Sequence, residues 1–372
     1  MSNTTLATVF PPGEFIREEL EARGWTQADL AAIIGKPLAA VNEIICAKRG
    51  VTAETAKALS EAFGTSAEFW MNLESLYQLS KTSAASDSIR QRAKWFERAP
   101  VSYMRKRGWI TEAFSTEKME AELCKFYRVS SVDEEPRVAM AARQSVSTDA
   151  ITPEQIAWAY RACHMAGSVP VRGDFSPTAL RQTIPRLRQL AKFPQSSKQV
   201  AGVLSEAGVR LVFVEHLPKS KIDGAALGVE GLGPVIALSL RFDRIDYFWH
   251  TLLHEVDHLL HGDGGIDPDL SGGDDLPWSV NPDIERRANA NAAAMLIPSD
   301  KLQSFIRRVG PLFYKERIVQ FANLNSIHPG VVAGQLHHKG MPYKFNRDLL
   351  EPINKYVIGT TMTDGWGNTP SI

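Results

Sequence analysis

Cysteine is scarce in this chain, with three in 372 residues. Cys46, Cys124 and Cys163 stand too far apart for a metal-binding or disulfide spacing, and their number is odd. That excludes a disulfide-stapled secreted scaffold and predicts a cytoplasmic chain with reduced thiols. No apolar run approaches the roughly 20 residues a membrane span requires. The start, Met1–Pro12, lacks the basic-then-apolar build of a secretory signal. Internal repeats and long low-complexity tracts are missing as well. So is net charge, because 42 Lys+Arg balance 42 Asp+Glu, which disfavours a generic polyanion binder. What remains is an ordinary globular balance, 44% hydrophobic and 23% charged, with core material for two to four domains.

The neutral total hides a pattern. Residues 1–80 hold six basic and ten acidic side chains, residues 81–200 hold twenty and twelve, and the remainder sixteen and twenty. An acidic head and tail thus flank a basic middle, densest at Arg90, Arg92, Lys94, Arg98, Arg105, Lys106 and Arg107.

Residues 10–78 read as five short helices. Glu14–Arg23 is stopped by Gly24, and Thr26 caps Gln27–Ile34, which Gly35 stops. Pro37 opens Leu38–Ala47, Thr52 caps Ala53–Phe63, and Ser66 caps the fifth. Lys81–Ser88 is rich in Ser, Ala and Thr and reads as a linker. A helical pattern continues to about residue 200. Then Val209–Glu215 and Val235–Leu240 are β-branched or apolar runs bounded by turn residues, and read as strands. Two apolar-periodic helices follow, Ile245–His261 and Pro282–Leu296. Strands followed by two helices indicate an α+β unit.

The chemistry is concentrated in His254-Glu255-Val256-Asp257-His258. Histidines at i and i+4 share one helix face, close enough to bind one Zn²⁺. Glu255 beside them is placed to take a proton from activated water and return it to a leaving amine. A buried helix with two satisfied histidines would give the same five letters. A catalytic zinc also needs a third protein ligand, and Glu285 on the next helix can supply it. Asn289, one turn later on the same face, can orient an imidazole from behind. The run Val235–Leu240 is expected as the sheet edge along which a peptide substrate adds. The turn-rich Asp263–Asp275 is expected as a flexible loop between the two helices.

Two resemblances sharpen this. Asp223-Gly-Ala, RFDRIDYFWHTLLHEVDHLLHG (Arg241–Gly262) and ERRANANAAAMLIP (Glu285–Pro298) resemble the ImmA/IrrE family of zinc metallopeptidases. The resemblance implies His254, His258 and Glu285 as ligands and Glu255 as general base. It also implies a repressor-type protein substrate cut at one bond. Asn291 departs from the family, which more often has an aromatic there. Zn²⁺ is the expected ion, and a His₂Glu set also tolerates Mn²⁺. Residues 12–76 resemble the helix-turn-helix of HigA-type antitoxins in the Xre superfamily. The matching stretches are PPGEFIREEL (Pro11–Leu20), TQADLAAIIG (Thr26–Gly35), KPLAAVNEIICAKRGVT (Lys36–Thr52) and GTSAEFWMNL (Gly64–Leu73). Gln27, Lys36, Leu38, Ala39 and Asn42 are then expected to face DNA, with Lys48 and Arg49 on phosphate. Leu38, Ala39 and Glu43 weaken the charge that supplies nonspecific affinity, so dimerisation or the basic middle must help.

The expected fold is multidomain and mainly α. It comprises an all-α helix-turn-helix (10–78), a basic helical connector (79–177), an α+β zincin-like domain (178–300) and a small helical unit (301–372). The expected function is a DNA-binding, antitoxin-like regulator carrying a zinc peptidase that cleaves a specific protein. Its partners are then operator DNA, a protein substrate or cognate toxin, and a second copy in a homodimer, with no membrane. The alternative keeps the antitoxin and autorepressor roles and makes the zincin domain a non-proteolytic sensor or structural module.

Overall fold

The computed structural model describes residues 9–82, 87–111, 115–134, 136, 151–229, 231–263, 266–268 and 282–370. Much of the expected 263–275 loop lies outside them. The chain divides into two compact units, meeting between Ile89 and Arg90.

The first unit holds α1 (Pro12–Arg23), α2 (Gln27–Ile33), α3 (Leu38–Ile45), α4 (Ala53–Phe63) and α5 (Ala67–Lys81). The expected caps form. Thr26 and Asp29 make a reciprocal capping box, and the Thr52 and Ser66 side chains accept from the backbone N–H of Thr55 and Phe69. Ile16, Leu30, Val41, Ile45, Leu59 and Trp70 form its core. Gly13 is required by packing, since a Cβ there would meet the Ile45 carbonyl oxygen at 2.4 Å.

The second unit begins with α6 (Asp87–Arg98), α7 (Val101–Lys106), α8 (Thr116–Tyr127), α9 (Pro153–Ala166), α10 (Pro177–Leu190) and α11 (Val200–Glu206). Then come β1 (Arg210–Val214), β2 (Ile222–Val229), β3 (Gly233–Leu238), α12 (Ile245–His261), β4 (Ile266–Pro268) and α13 (Pro282–Leu296). The chain closes with α14 (Ser299–Val309), α15 (Lys315–Leu324), α16 (Pro329–His338), α17 (Asn354–Val357) and β5 (Thr363–Asp364). The five strands form one mixed sheet in the order β4-β2-β3-β1-β5. Strand β1 runs parallel to β3 and β5, and β2 runs antiparallel to β3 and β4.

Both faces of this sheet are covered. Leu211, Phe213, Ile236 and Leu238 point into a core shared with α10, α11, α12 and the C-terminal helices. Val212, Val214, Val235 and Ala237 point the other way, into a core built by Trp95, Met104, Leu123, Trp158 and Met165. Trp158 Nε1 also donates to the Val214 carbonyl at 2.7 Å. Segments expected as a separate connector and a separate C-terminal unit therefore share cores with the sheet. The physical reason is the continuous apolar run of β1 and β3, which needs a helical layer on each side.

Two expectations about strands are corrected. The run Val235–Leu240 is not an edge, because β3 sits between β2 and β1 and both its backbone edges are paired. Strand β2, IDGAALGV, was not expected at all. Its Gly and Ala have low strand propensity, and tertiary pairing on both sides overrides that.

Among the described residues no helix is long and apolar enough to cross a membrane.

Candidate functional site

Helix α12 places the rings of His254 and His258 on one face, with centroids 4.7 Å apart and Nε2 atoms 3.0 Å apart. Helix α13 packs against α12. It brings Glu285 Oε2 to 3.1 Å from His254 Nε2, and Oε1 to 3.6 Å from His258 Nε2. One ligand atom from each residue lies within 4.8 Å of the others. All three residues are buried, none more than 4% exposed.

A proton inventory decides what this cluster can hold. Asn289 Oδ1 lies 3.1 Å from His254 Nδ1 and 3.0 Å from His250 Nε2. Asp263 Oδ1 lies 3.0 Å from His258 Nδ1. Amide and carboxylate oxygens only accept, so these ring nitrogens carry the hydrogens. A neutral imidazole has only one, so in that state both Nε2 atoms turn lone pairs toward each other and toward the Glu285 carboxylate. Electron pairs so arranged repel unless a cation lies among them. A tetrahedral zinc with bonds of 2.0–2.2 Å separates its ligand atoms by roughly 3.2–3.6 Å; the 3.0 Å between the two Nε2 atoms and the 3.1 Å from His254 Nε2 to Glu285 Oε2 fall just short of that span, and the 3.6 Å from His258 Nε2 to Oε1 lies at its upper end. The residues present fit zinc, and the same set suits Mn²⁺.

Glu255 is fully buried. Its carboxylate lies over β2 where the strand has no side chain, since a Cβ on Gly224 would come within 2.3 Å of Glu255 Oε1. The backbone therefore approaches α12 closely there, and the glycine is what permits it.

Several side chains around this cluster escape sequence reading. Arg287 forms a two-point clamp on Asp263, Nη2 to Oδ1 at 3.0 Å and Nη1 to Oδ2 at 2.7 Å, and its Nε reaches Asp257 Oδ2 at 3.0 Å. Burial alone would raise the Asp263 pKa, but hydrogen bonds from Arg287 and His258 outweigh it and hold the carboxyl below its ordinary range. Burial, followed by the neighbouring His254, pushes His250 down to about 4, so its ring is neutral. Asn291, the departure from the family pattern, donates to Asp257 Oδ1 at 2.9 Å. The one available signal for Asp263 was its place just beyond the helix-stopping Gly262. His328 Nδ1 accepts from the Gly330 N–H at 3.0 Å and caps α16.

In the first unit, α3 buries Ala40, Val41, Ile44 and Ile45 and turns Leu38, Ala39, Asn42 and Glu43 outward. Gln27 stands half-buried at the start of α2, and Lys48 and Arg49 are exposed after α3. Two of the expected contact cations are partly engaged internally. Lys36 Nζ pairs with Glu54 at 3.0 Å, and Arg49 Nε with Glu43 at 3.3 Å. Much of the basic middle is likewise committed within its own unit. Lys94 pairs with Asp133, Arg98 donates to the Val132 carbonyl, Arg105 reaches Met119 Sδ, and Arg107 pairs with Asp364.

Residues 16–70 match the helix-turn-helix family model. The chain is 37% identical over 79 residues to virulence-associated protein I of Dichelobacter nodosus, covering 73% of that protein and 21% of this chain. By this module the chain belongs to the helix-turn-helix family. Its N-terminal unit is thus a DNA-binding type of module, as the resemblance of residues 12–76 to the HigA-type helix-turn-helix implied. Among solved structures, the Pseudomonas aeruginosa antitoxin HigA with the higBA promoter is 39% identical, covering 20% of this chain and 80% of that one, with a TM-score of 0.19. A Pseudomonas aeruginosa protein in complex with its 18-base-pair operator DNA is 36% identical, covering 23% and 92%, with a TM-score of 0.21.

Proposed function

We propose that the chain is a DNA-binding, antitoxin-like regulator whose second unit is a zincin-type zinc peptidase acting on a specific protein, a repressor or a cognate toxin. One observation carries the peptidase reading: His254 and His258 on α12, the helix that also carries Glu255, and Glu285 on α13 bring one ligand atom each within 4.8 Å of one another. The ImmA/IrrE resemblance of residues 223–298 supports the same reading.

When bound, zinc supplies Lewis acidity to a peptide carbonyl and makes water a better nucleophile. The chain's own residues divide the rest of the work. His254, His258 and Glu285 hold the ion. Asn289 and Asp263 keep the imidazole hydrogens on Nδ1, so that both Nε2 atoms face inward. Glu255 takes the proton from the attacking water at its carboxylate and delivers it to the leaving amine nitrogen.

The regulator part rests on the helix-turn-helix match, on the outward face of α3 with Leu38, Ala39 and Asn42 toward bases, on Gln27 at the start of α2, and on Lys48 and Arg49 toward phosphate. The likeness of residues 12–76 to HigA-type antitoxins makes a toxin the natural protein partner. Six basic against ten acidic residues in this region leave it weak on phosphate alone, and a homodimer doubles its contacts.

A second reading is favoured by burial. Glu255 and the three metal-directed residues are all at most 4% exposed, which also suits an ion held for structural or sensory purposes. Metal analysis of the purified chain, with cleavage assays on the neighbouring repressor or toxin, separates the two. Under the peptidase reading Glu255→Gln keeps its zinc and loses cleavage. Intact operator binding and toxin neutralisation, with no proteolysis by the wild-type protein, would establish the second reading instead.

A further inference from the structure

The two imidazoles of the candidate centre are braced differently. His254 Nδ1 rests on the neutral amide oxygen of Asn289, whereas His258 Nδ1 rests on the Asp263 carboxylate. Asp263 lies just past the αL cap Gly262, beyond the last residue of α12, whose final turn holds the Asp263 N–H on the His258 carbonyl at 3.2 Å but does not clamp both carboxylate oxygens. Arg287 does that instead, gripping both Asp263 oxygens and reaching the buried Asp257 with its remaining nitrogen. Asp257 is in turn fixed by Asn291 at 2.9 Å. The brace therefore ties the end of α12 to α13, the helix that also delivers Glu285.

Building on the zinc reading above, we propose that Asp263, clamped by Arg287, is the positioning residue for His258. Three consequences follow from its chemistry. The carboxylate fixes the His258 tautomer with Nε2 free of hydrogen. Its negative charge makes that nitrogen a stronger donor than the amide-braced His254. Because Arg287 and Glu285 are two residues apart on α13, the ion and the brace each join the same pair of helices. The site is thereby held in its binding geometry at both ends.

The test uses the full-length chain and two probe ions. Zn²⁺ affinity is measured by competition with a chromophoric chelator, and the ligand field by the visible absorption of the Co²⁺-substituted protein. Asp263→Ala should weaken zinc binding ~10–100-fold and alter the Co²⁺ spectrum. Asp263→Asn keeps an acceptor but loses the charge and should fall in between, which also covers the case that the alanine variant does not fold. Arg287→Ala should weaken binding in the same direction, whereas Arg286→Ala, on an exposed pair with Asp283, should change nothing. Wild-type affinity and an unchanged Co²⁺ spectrum in Asp263→Asn and Arg287→Ala would overturn the positioning role while leaving the zinc reading intact. A wild-type chain that binds neither ion would overturn the zinc reading itself.

Discussion

Glu255 rests against the one position of β2 that offers it room: a Cβ at Gly224 would lie 2.3 Å from Glu255 Oε1 and 3.0 Å from Thr251 Cγ2. The general base proposed for the peptidase is thus placed by a strand residue thirty-one positions earlier. Gly224→Ala should push the Glu255 carboxylate aside and leave the three metal-directed residues where they are. Displacements of about 1 Å at a catalytic group cost on the order of 10²-fold in rate. Zinc stoichiometry should stay at the wild-type value while cleavage of the protein substrate drops by that order. A variant that cleaves at the wild-type rate would show that the carboxylate is not held by this contact.

Asp364 sits fully buried on β5 and accepts from Arg161 Nε at 2.7 Å and Trp109 Nε1 at 3.1 Å, with Arg107 alongside. Two guanidinium groups from residues 79–177 therefore share one carboxylate near the C-terminus, Arg107 also pairing with Glu215 and Arg161 donating to the Pro370 carbonyl. Asp364→Ala leaves the buried Arg161 without its carboxylate, at a cost of about 3–5 kcal/mol. Urea denaturation should register that loss, and truncation after Met362 should produce one of similar size.

His164 on α9 has its pKa lowered to about 4, by burial first and then by the charges of Arg128 and Arg161. In the unfolded chain its value is near 6.5. Between those two pH values the unfolded chain holds the extra proton and the folded chain does not, so stability falls as the pH drops from 6.5 toward 4. The full effect is at most about 3 kcal/mol, reduced by the partial exposure of the ring. His164→Phe should therefore flatten the stability profile between pH 7 and 5, measured as the shift in urea midpoint.

DNA binding should separate the basic residues of the first unit by what already holds them. Lys48 is exposed and Lys36 pairs with Glu54. On an operator fragment, Lys48→Ala should reduce the slope of log K against log salt by about 1, with Lys36→Ala changing it less. Asn42→Ala, on the outward face of α3, should cost about 1–3 kcal/mol on the operator and little on random DNA. Equal losses on both DNAs would remove Asn42 from base reading.

Much of this was legible in the residues. Thr26, Thr52 and Ser66 marked helix starts and Gly24 and Gly64 marked stops, because capping acts over three or four residues and needs no distant partner. The His254–His258 spacing worked for the same reason, since a helix turn alone puts both rings on one face. Glu285 and Asn289 fell into place because α13 repeats the same periodicity. Less was legible where the deciding partner was far away. Strand β2 reads as a weak former, and only β3 and β4 on its two edges make it a strand. The place of β3 immediately before α12 suggested a sheet edge, although its run, apolar on both faces, already called for two covering layers.

The sequence by itself determined the local devices: the capped helices of the first unit, the helix face bearing His254 and His258, and the uneven charge behind a zero total. Tertiary structure decided how they combine. It made the basic middle a core layer, with Trp158 and Arg161 turned inward, in place of a separate arm for phosphate. It also set Gly224 under Glu255 and Asp263 behind His258. Those relations depend on close packing between segments up to two hundred residues apart, and no spacing along the chain encodes a contact that only the folded interior brings within 3 Å.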